Sequence, residues 1–365
     1  MRWRTAGRVA VTALVGLLAP VAVAAVGIAG ATGEIYTPRD ASAPPVPIDI
    51  AAPMYDPGKP TAVVVLGSEG ANVADVLAPY QVLADSGGFN VYTVAEQPQP
   101  VTLTGGLDLI PDLTFQQLQE RLPGTPDVIV MPQIPEAGEP TAAPIVEWLQ
   151  QQRANGDPLL LTVCVGAEVL AQAGLLDGRP ATSHWLGLIG HRRYYQAVHW
   201  QDGVRYVDDG DVITSAGVLS GVDGALRVVE RMLGEPAAWQ AARAVDWPDY
   251  SPGGLAPIPR YRLAPADVVG LLSAAYRWDR PTMGVLLTDG VGEIELASAF
   301  RPYTEFSYLA RPVAVTADGR PIRSRHGLTF VPRAALNTAA PRLDRLVVPG
   351  ADAASDAYAD GLFRA

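Results

Sequence analysis

Short apolar runs alternate with amphipathic stretches between residues 61 and 233. The first run, Thr61–Gly67, is rich in β-branched residues and ends in glycine, which is typical of a buried strand. Apolar residues at helical spacing follow at Asn72–Asp85. The same alternation then predicts strands at Phe89–Ala95, Asp127–Met131 and Pro158–Val163, and helices at Thr114–Arg121, Ala142–Arg153 and Leu219–Leu233. This order predicts an α/β fold, a three-layer sandwich whose parallel sheet is covered on both faces.

The sequence around residue 164 has the pattern of a sharp turn from a strand into a helix. An apolar strand runs directly into Cys164, and Val165-Gly166-Ala167 leads into a segment rich in Ala and Leu. Small residues suit such a turn, which holds one side chain above the sheet at the start of a helix. A thiol there is expected to be acidic, because the helix dipole favours the thiolate. A lone cysteine is more often inert, so the pattern predicts its position and not its reactivity.

This segment, LLLTVCVGAEVLAQAGLLDGRPATSHW at residues 159–185, resembles the nucleophile region of the ThiJ/PfpI superfamily. Members share the class I glutamine amidotransferase-like, flavodoxin-like fold. The sequence is most similar to the sensor domains of AraC-type regulators and to isonitrile hydratases. Residues 72–85 and 205–230 resemble the same group, so the likeness covers roughly Thr61–Gly234.

The resemblance implies roles for three side chains. Cys164 matches the family nucleophile, and His184 matches the histidine that lies near the thiol in many members. Asp75 matches the acidic group that hydrogen-bonds the thiol or acts as general base. A thiolate needs a proton acceptor and a charge partner, which these side chains supply. The alternatives are a strand-end histidine with a satisfied hydrogen bond and an ordinary solvated helix carboxylate.

Three positions depart from the family pattern, namely Val165, Gln133 and Gln81. Two of them are among the predicted binding positions, which are Val165, Gly166 and Gln133. Val165 stands where PfpI-type hydrolases have histidine and isonitrile hydratases usually have a hydroxyl residue, so protease-like activity is not expected. Gln133 replaces the first glycine of a common Pro-Gly-Gly run. Its N–H remains available to an oxyanion, but a left-handed backbone would be strained at a non-glycine residue. Gln81 stands where relatives often have glutamate, which removes one candidate acid.

A partial second copy of the pattern is predicted between residues 281 and 365. Thr282–Thr288 is again apolar, and Glu295 follows Gly290 at the spacing at which Asp75 follows Gly70. Further matches link 327–332 to 106–111 and 343–350 to 126–133. Repeated features at a near-constant offset favour internal duplication over two unrelated apolar patterns. No strand that could carry a second nucleophile is predicted. A partial sheet leaves an edge, so we expect it to pack on the first domain or on another chain, as a pseudo-dimer or a homodimer.

The N-terminus has the pattern of an export signal. Arg2, Arg4 and Arg8 precede an uncharged apolar run from Val9 to about Thr32, long enough to span a membrane as a helix. We therefore expect a signal anchor or a cleaved signal at 1–34, with all that follows outside the cytoplasm. A Pro-rich linker is predicted at 35–60, the ThiJ/PfpI-like domain at 61–235, and a connector at 236–280 with an amphipathic helix at Pro265–Trp278.

Composition and charge narrow the classes of molecule that the protein is expected to bind. The chain has 38 acidic and 27 basic residues, a formal net charge of -11, which disfavours nucleic acid. One cysteine excludes an intramolecular disulfide, and four scattered histidines disfavour a structural zinc site. We expect a small-molecule ligand and neither a metal nor a cofactor.

Three functions remain open at this stage. The first is an enzyme of hydratase or hydrolase type that uses Cys164 on a small electrophile. The second is a binding or sensor module that has lost turnover, which the changes at Val165 and Gln133 favour. The third is redox sensing through oxidation of Cys164.

Overall fold

The computed structural model describes residues 33–39, 52–253, 257–262, 279–304 and 309–350, together with positions 23, 30, 264, 265, 269 and 276. The predicted apolar segment Val9–Thr32 lies outside the described residues except at two positions, as does most of a helix predicted at Pro265–Trp278. Within the described ranges, no helix has both the length and the apolar character that a membrane crossing requires.

The first half of the chain alternates strands and helices. Its strands are β1 (Thr61–Val65), β2 (Asn90–Ala95), β3 (Val101–Leu103), β4 (Leu107–Ile110), β5 (Leu113–Thr114), β6 (Val128–Met131), β7 (Leu159–Val163), β8 (Pro180–Ala181), β9 (His199–Trp200), β10 (Tyr206–Asp208) and β11 (Val212–Ser215). Its helices are α1 (Val73–Asp85), α2 (Phe115–Arg121), α3 (Ala143–Asn155), α4 (Ala167–Gln172), α5 (Gly187–Tyr194), α6 (Val218–Leu233) and α7 (Glu235–Ala244).

A seven-stranded sheet forms the centre of this half, in the order β10-β11-β7-β6-β1-β2-β5. All neighbouring pairs are parallel except β10 and β11, which form an antiparallel hairpin around Asp208–Gly210. The α/β architecture with a mostly parallel sheet is therefore confirmed. Because both faces are covered, strands such as β1 and β7 are buried along their whole length, which explains their continuous apolar sequence.

Helix α1 is buried on all sides, which its amphipathic sequence does not indicate. Asn72 caps its N-terminus by accepting from the backbone N–H of Ala74 at 3.0 Å and of Asp75 at 3.4 Å. Every residue from Val73 to Leu83 is buried, the carboxylate of Asp75 included. A solvated carboxylate at Asp75 is thereby excluded.

The second half adds a smaller sheet of its own. Its strands are β12 (Thr282–Leu286), β13 (Arg311–Thr316), β14 (Ile322–Arg323), β15 (Thr329–Val331), β16 (Ala334–Ala335) and β17 (Arg345–Val347), and its helices are α8 (Glu293–Thr304) and α9 (Leu336–Ala339). The parallel sheet runs β16-β13-β12-β17, the same connection order as β5-β2-β1-β6 in the first half.

The two halves pack against each other through a helix pair and a shared sheet. Helix α8 lies on α1, where the backbone N–H of Ile294 donates to the side chain of Gln81 at 2.8 Å. Strand β15 pairs antiparallel with β4, with Phe330 opposite Leu109, so β14-β15-β4-β3 is one sheet built from both halves. The second half thus packs on the first domain of the same chain, one of the two arrangements expected from its exposed edge.

The end of the predicted signal segment and the start of the predicted linker contact both halves. The carbonyl of Ile35 accepts from the N–H of Gly105 at 2.9 Å in the first half. Glu34 forms ion pairs with Arg280 at 2.6 Å and with Arg311 at 3.1 Å in the second. Residues 34–39 therefore lie across the junction and are not a free tether.

Candidate functional site

The candidate site lies at the edge of the large sheet where its parallel strands end. Strand β1 is followed along the chain by β2 on one side, whereas β6 lies on its other side. Loops that leave such a point in opposite directions open a crevice beyond the carboxyl ends of the strands. The segments after β1, β6 and β7 meet there, and they carry Asp75, Gln133 and Cys164.

Cys164 lies in a sharp turn between β7 and α4. Its φ of 59° is left-handed, an uncommon and costly conformation for a residue other than glycine. A short 3₁₀ turn, Cys164–Gly166, leads into the helix. A Cβ on Gly166 would lie 2.2 Å from the carbonyl oxygen of Met131, so only glycine allows the turn to approach β6 this closely. The thiol is buried, with the residue 3% exposed.

The side chain of Gln133 connects the thiol to two polar residues of α1 and its cap. The Cys164 sulfur lies 3.6 Å from Gln133 Oε1, which also accepts from Asn72 Nδ2 at 3.4 Å. The backbone N–H of Gln133 donates to Asp75 Oδ2 at 3.3 Å. The structure therefore brings Cys164, Gln133 and Asp75 together in one chain of contacts.

This geometry corrects two expectations about Gln133. Its backbone is not left-handed, since the described non-glycine residues with positive φ are Cys164 and Asp246. The expected strain is therefore absent. Its N–H already serves the buried carboxylate of Asp75, so it is not available to an oxyanion as the sequence suggested.

Val165 and Gly166 support the turn by packing. Val165 Cγ1 lies 2.4 Å from where a Cβ on Gly187 would stand, so the first turn of α5 packs directly on this side chain. The valine that replaces the histidine of PfpI-type hydrolases thus supplies an apolar contact. Binding roles for Val165 and Gly166 stay predictions.

His184 occupies a partly buried position. Its ring packs beside Trp185 with ring centroids 5.5 Å apart, and its Cδ2 lies close to Gly217. Burial, together with the charge of Arg301 on α8, lowers the pKa of His184 to about 4. The imidazole is therefore neutral at pH 7 and able to accept a proton. Its role beside the thiol stays a prediction.

A second histidine, which sequence reasoning missed, supports the turn through a serine. Ser183 Oγ donates to the carbonyl oxygen of Cys164 at 2.9 Å, and His191 Nε2 lies 3.1 Å from the same hydroxyl. The only hydroxyl proton goes to that carbonyl, so His191 must donate from Nε2. Burial lowers the pKa of His191 to about 4. On the far side of the ring, Nδ1 lies 3.9 Å from Glu168 Oε2.

A buried acid on the loop after β6 was also missed. Glu136 is 1% exposed, and its Oε1 accepts from the hydroxyl of Ser68 and the N–H of Glu69, each at 3.3 Å. Burial raises the pKa of Glu136 against these hydrogen bonds, and the nearby charge of Glu69 adds to the increase. An acid that follows Pro135 in a loop gives no sequence signal of burial, because the contact depends on the folded position of the loop after β1.

The described residues around Cys164 offer no set of metal ligands. Within the described part of the chain, no cluster of three or more His, Cys, Asp or Glu side chains is arranged to hold a metal ion.

These features define a class of protein: a doubly wound α/β domain with a cysteine at a strained strand-to-helix turn. A family model described as the DJ-1/PfpI family matches residues 61–231. The isonitrile hydratase of Pseudomonas putida is 30% identical over 213 residues, which are 53% of this chain and 85% of that protein. The chain belongs to the DJ-1/PfpI family.

Other relatives differ in their named roles. Protein DJ-1alpha of Drosophila melanogaster is 26% identical over 176 residues, 48% of this chain and 76% of that protein. The HTH-type transcriptional regulator CdhR of Pseudomonas aeruginosa is 35% identical over 98 residues, 27% of this chain and 29% of that protein. A solved ThiJ/PfpI family structure from Pseudomonas syringae covers 62% of this chain and 96% of its own, at 25% identity and a TM-score of 0.46.

Proposed function

We propose that this protein uses Cys164 as a nucleophile on a small electrophile, in a reaction of hydratase type. The observation that carries the proposal is the left-handed turn that places the thiol at the start of α4. There the thiol contacts the side chain of Gln133, whose backbone N–H donates to Asp75. A strained, buried conformation of this kind is retained where the surrounding structure imposes it, often at functional sites. The similarity to an isonitrile hydratase suggests the substrate class.

The proposed steps balance for an isonitrile. Asp75 takes the thiol proton, the sulfur bonds to the terminal carbon, and the electron pair on that carbon receives the proton from Asp75, which gives a thioimidate with a C=N bond. Water then adds to this carbon, and the C=N electron pair moves to nitrogen, which takes one water proton through the same carboxylate. The second water proton is transferred to the sulfur as the C–O bond becomes a carbonyl and the carbon–sulfur bond breaks. The products are an N-substituted formamide and the free thiol. The Asp75 carboxylate contacts the backbone N–H of Gln133 and the thiol contacts its side-chain oxygen, and this proximity supports Asp75 as the proton carrier.

Turnover of a simple isonitrile by the full chain tests this proposal. Formamide production should be measured for the wild type and for Cys164→Ala and Asp75→Asn. We expect loss of turnover in the cysteine variant and a drop of about a hundredfold or more in the other. Alkylation by iodoacetamide, followed by mass spectrometry, reports thiol reactivity independently of substrate. Turnover that survives in Cys164→Ala would refute the proposal.

A binding or sensor function is the second candidate. It is favoured by the N–H of Gln133, which serves Asp75 and cannot stabilise an oxyanion, and by the 3% exposure of Cys164. In that case small electrophiles or their analogues should raise the melting temperature without being consumed. A thermal-shift screen that finds no stabilising compound counts against this function.

Redox sensing through Cys164 is the third candidate. Oxidation requires access to the sulfur, and its burial weighs against this function. Mass spectrometry after mild peroxide treatment tests it, because absence of a sulfenic or sulfinic product on this cysteine excludes it.

We infer as well that residues 281–350 are a partial copy of the first half. The repeated strand order supports this inference. So does the packing of Glu295, whose Oε2 lies 2.6 Å from where a Cβ on Gly350 would stand, as the Asp75 carboxylate lies against Gln133. An experimental structure in which α8 fails to superpose on α1, once β12 and β13 are placed on β1 and β2, contradicts duplication.

Export is proposed on sequence grounds. The basic residues Arg2, Arg4 and Arg8 before an uncharged apolar run support it. Fusion of the first 34 residues to a phosphatase that is active only outside the cytoplasm tests the proposal. An inactive fusion that is expressed normally would exclude export by this segment.

A further inference from the structure

A second concave site lies beside α5 and is lined by arginines. The cavity has a volume of about 610 Å³ and lies between the end of α5, the loop after β9 and the segment at 257–262. Arg192 contributes from the helix, and Arg260 and Arg262 contribute from the segment. All three are exposed to solvent. No residue of the turn at Cys164 lines this cavity.

These three guanidinium groups are not neutralised by the protein. Within the part of the chain that the structure describes, none of them forms an ion pair or donates a hydrogen bond. One acid, Asp202, shares the lining with them. Elsewhere, arginines such as Arg205 and Arg227 are paired with carboxylates, on a chain that has 38 acids. A concave surface with one dominant sign of charge concentrates the field and attracts ions of the opposite sign.

The walls of the cavity are fixed by contacts of their own. Trp200 Nε1 donates to the carbonyl of Tyr195 at 3.1 Å, and the Tyr261 ring packs on Trp185 with ring centroids 4.7 Å apart. Gln201 adds a side-chain amide, so the exposed lining of the cavity is mostly polar.

The position of Arg260 depends on a neighbouring glycine. A Cβ on Gly203 would lie 3.0 Å from Arg260 Cγ, so the arginine stem crosses a residue that lacks a side chain. The backbone N–H of Ile258 donates to the carbonyl of Gly203 at 3.0 Å and holds the two segments together. Arg192 by itself would be explained as a cation at a helix C-terminus, but Arg260 and Arg262 are not on that helix.

We propose that this cavity binds a small anion that carries carboxylate or phosphate groups. Guanidinium groups bind both oxyanions in a bidentate manner. The volume lies within the range of small-molecule sites. The proposal does not depend on the chemistry at Cys164.

Titration of the full-length protein with citrate and with pyrophosphate tests the proposal, with calorimetry and tryptophan fluorescence as readouts. At an ionic strength of about 0.15 M, we expect saturable binding of at least one of these probes. Arg192→Gln, Arg260→Gln and Arg262→Gln should each weaken that binding by about tenfold or more. Arg243→Gln is the matched control, because Arg243 is also exposed and forms no described ion pair. This control and Cys164→Ala should bind as the wild type does.

Three results would overturn the proposal. The first is no saturable binding of either probe to folded wild-type protein. The second is an equal loss of affinity in Arg243→Gln, which would indicate a general effect of net charge. The third is arginine-dependent binding to phosphatidylglycerol vesicles without binding to either soluble probe, which would indicate a membrane-facing surface. Each cavity variant is compared by circular dichroism melting, so a variant that fails to fold is replaced by one of the other two.

Discussion

The hydroxyl of Ser183 donates a hydrogen bond to the carbonyl oxygen of Cys164 across 2.9 Å, and both residues are almost completely buried. This carbonyl belongs to the residue whose backbone is left-handed. A buried carbonyl without a partner is costly, so the serine compensates part of the cost of the strained turn. His191 in turn orients the serine, which makes the segment 183–191 a support for the position of the thiol.

Ser183→Ala should destabilise the protein and alter the reactivity of Cys164. The buried carbonyl would lose its donor, at a cost of about 1–3 kcal/mol in the free energy of unfolding. The turn would also be held less firmly, so the rate of alkylation at the thiol should change at least severalfold. Denaturant unfolding and iodoacetamide kinetics measure the two effects.

A serine elsewhere provides the control for this change. Ser86 Oγ donates to the carbonyl of Leu83 at 2.6 Å, at the end of α1. Ser86→Ala removes the same kind of hydrogen bond, yet it should leave the alkylation rate unchanged. If both variants react with iodoacetamide as the wild type does, Ser183 has no role in positioning the thiol.

Gln133→Glu should make the thiol less acidic. The wild-type side chain places its Oε1 3.6 Å from the sulfur, and a carboxylate there would disfavour a thiolate. We expect the pH profile of alkylation to move to higher pH and the rate at pH 7 to fall by about tenfold. Gln119→Glu on the exposed face of α2 adds the same charge and should leave the profile in place. An unshifted profile in Gln133→Glu would show that the amide does not contact the reactive thiol.

Arg333→Met should weaken the junction between the two halves. Arg333 follows β15 and forms two hydrogen bonds to the fully buried carboxylate of Asp108 in β4, at 3.0 and 3.1 Å. Removal of the cation leaves a buried charge that the hydroxyl of Thr102 and the more distant Arg39 only partly compensate. The expected loss is about 3 kcal/mol in the free energy of unfolding. Asp108→Asn combined with Arg333→Met should restore part of this stability, because the buried charge is then removed. A double variant as unstable as Arg333→Met alone would contradict the role proposed for this ion pair.

The sequence was sufficient for the main elements of the first half. Apolar runs at β1 and β7 are long and uninterrupted because both faces of the sheet are covered. This pattern can be recognised in the sequence without knowledge of the tertiary contacts. The turn at Cys164 was also predictable, since only small residues after the strand permit the approach of Gly166 to Met131. Local steric requirements of this kind restrict which residues can occupy neighbouring positions, so they can be predicted from the sequence.

The parts that were not predicted depend on contacts between distant segments. Strands β4 and β15 are short, and they are stabilised by pairing with each other across the two halves. Asp75 looks like a solvated carboxylate in an amphipathic helix, and the packing of both α6 and α8 on α1 explains the burial of that helix. The hydrogen bonds from His191 through Ser183 to the turn at Cys164 join groups on different segments, so no spacing in the sequence predicts them.

His326 forms the polar centre of the junction between the halves. Its Nδ1 lies 2.8 Å from Glu293 on α8, and its Nε2 lies 3.1 Å from Asp85 at the end of α1. Burial lowers the pKa of His326, but the hydrogen bonds and charges of the two carboxylates outweigh it and raise the value to about 9. Despite their burial, the same contacts lower the pKa of Asp85 and of Glu293. The imidazolium therefore links two carboxylates from opposite halves at neutral pH.

His326→Gln should reduce stability in a pH-dependent way. The folded pKa of His326 lies above its ordinary value of 6.5, so the folded state binds the proton more tightly than the unfolded state. The resulting stabilisation is complete below about pH 6.5 and is lost as the pH rises through about 9. The difference in unfolding free energy between wild type and variant should thus be largest near pH 6 and shrink toward about pH 10. His184 and His191, whose lowered pKa values give the opposite slope below about 6.5, are present in both proteins and cancel. His199→Gln on the exposed surface serves as control, and a difference that does not shrink with rising pH would show that the imidazolium does not hold the halves together.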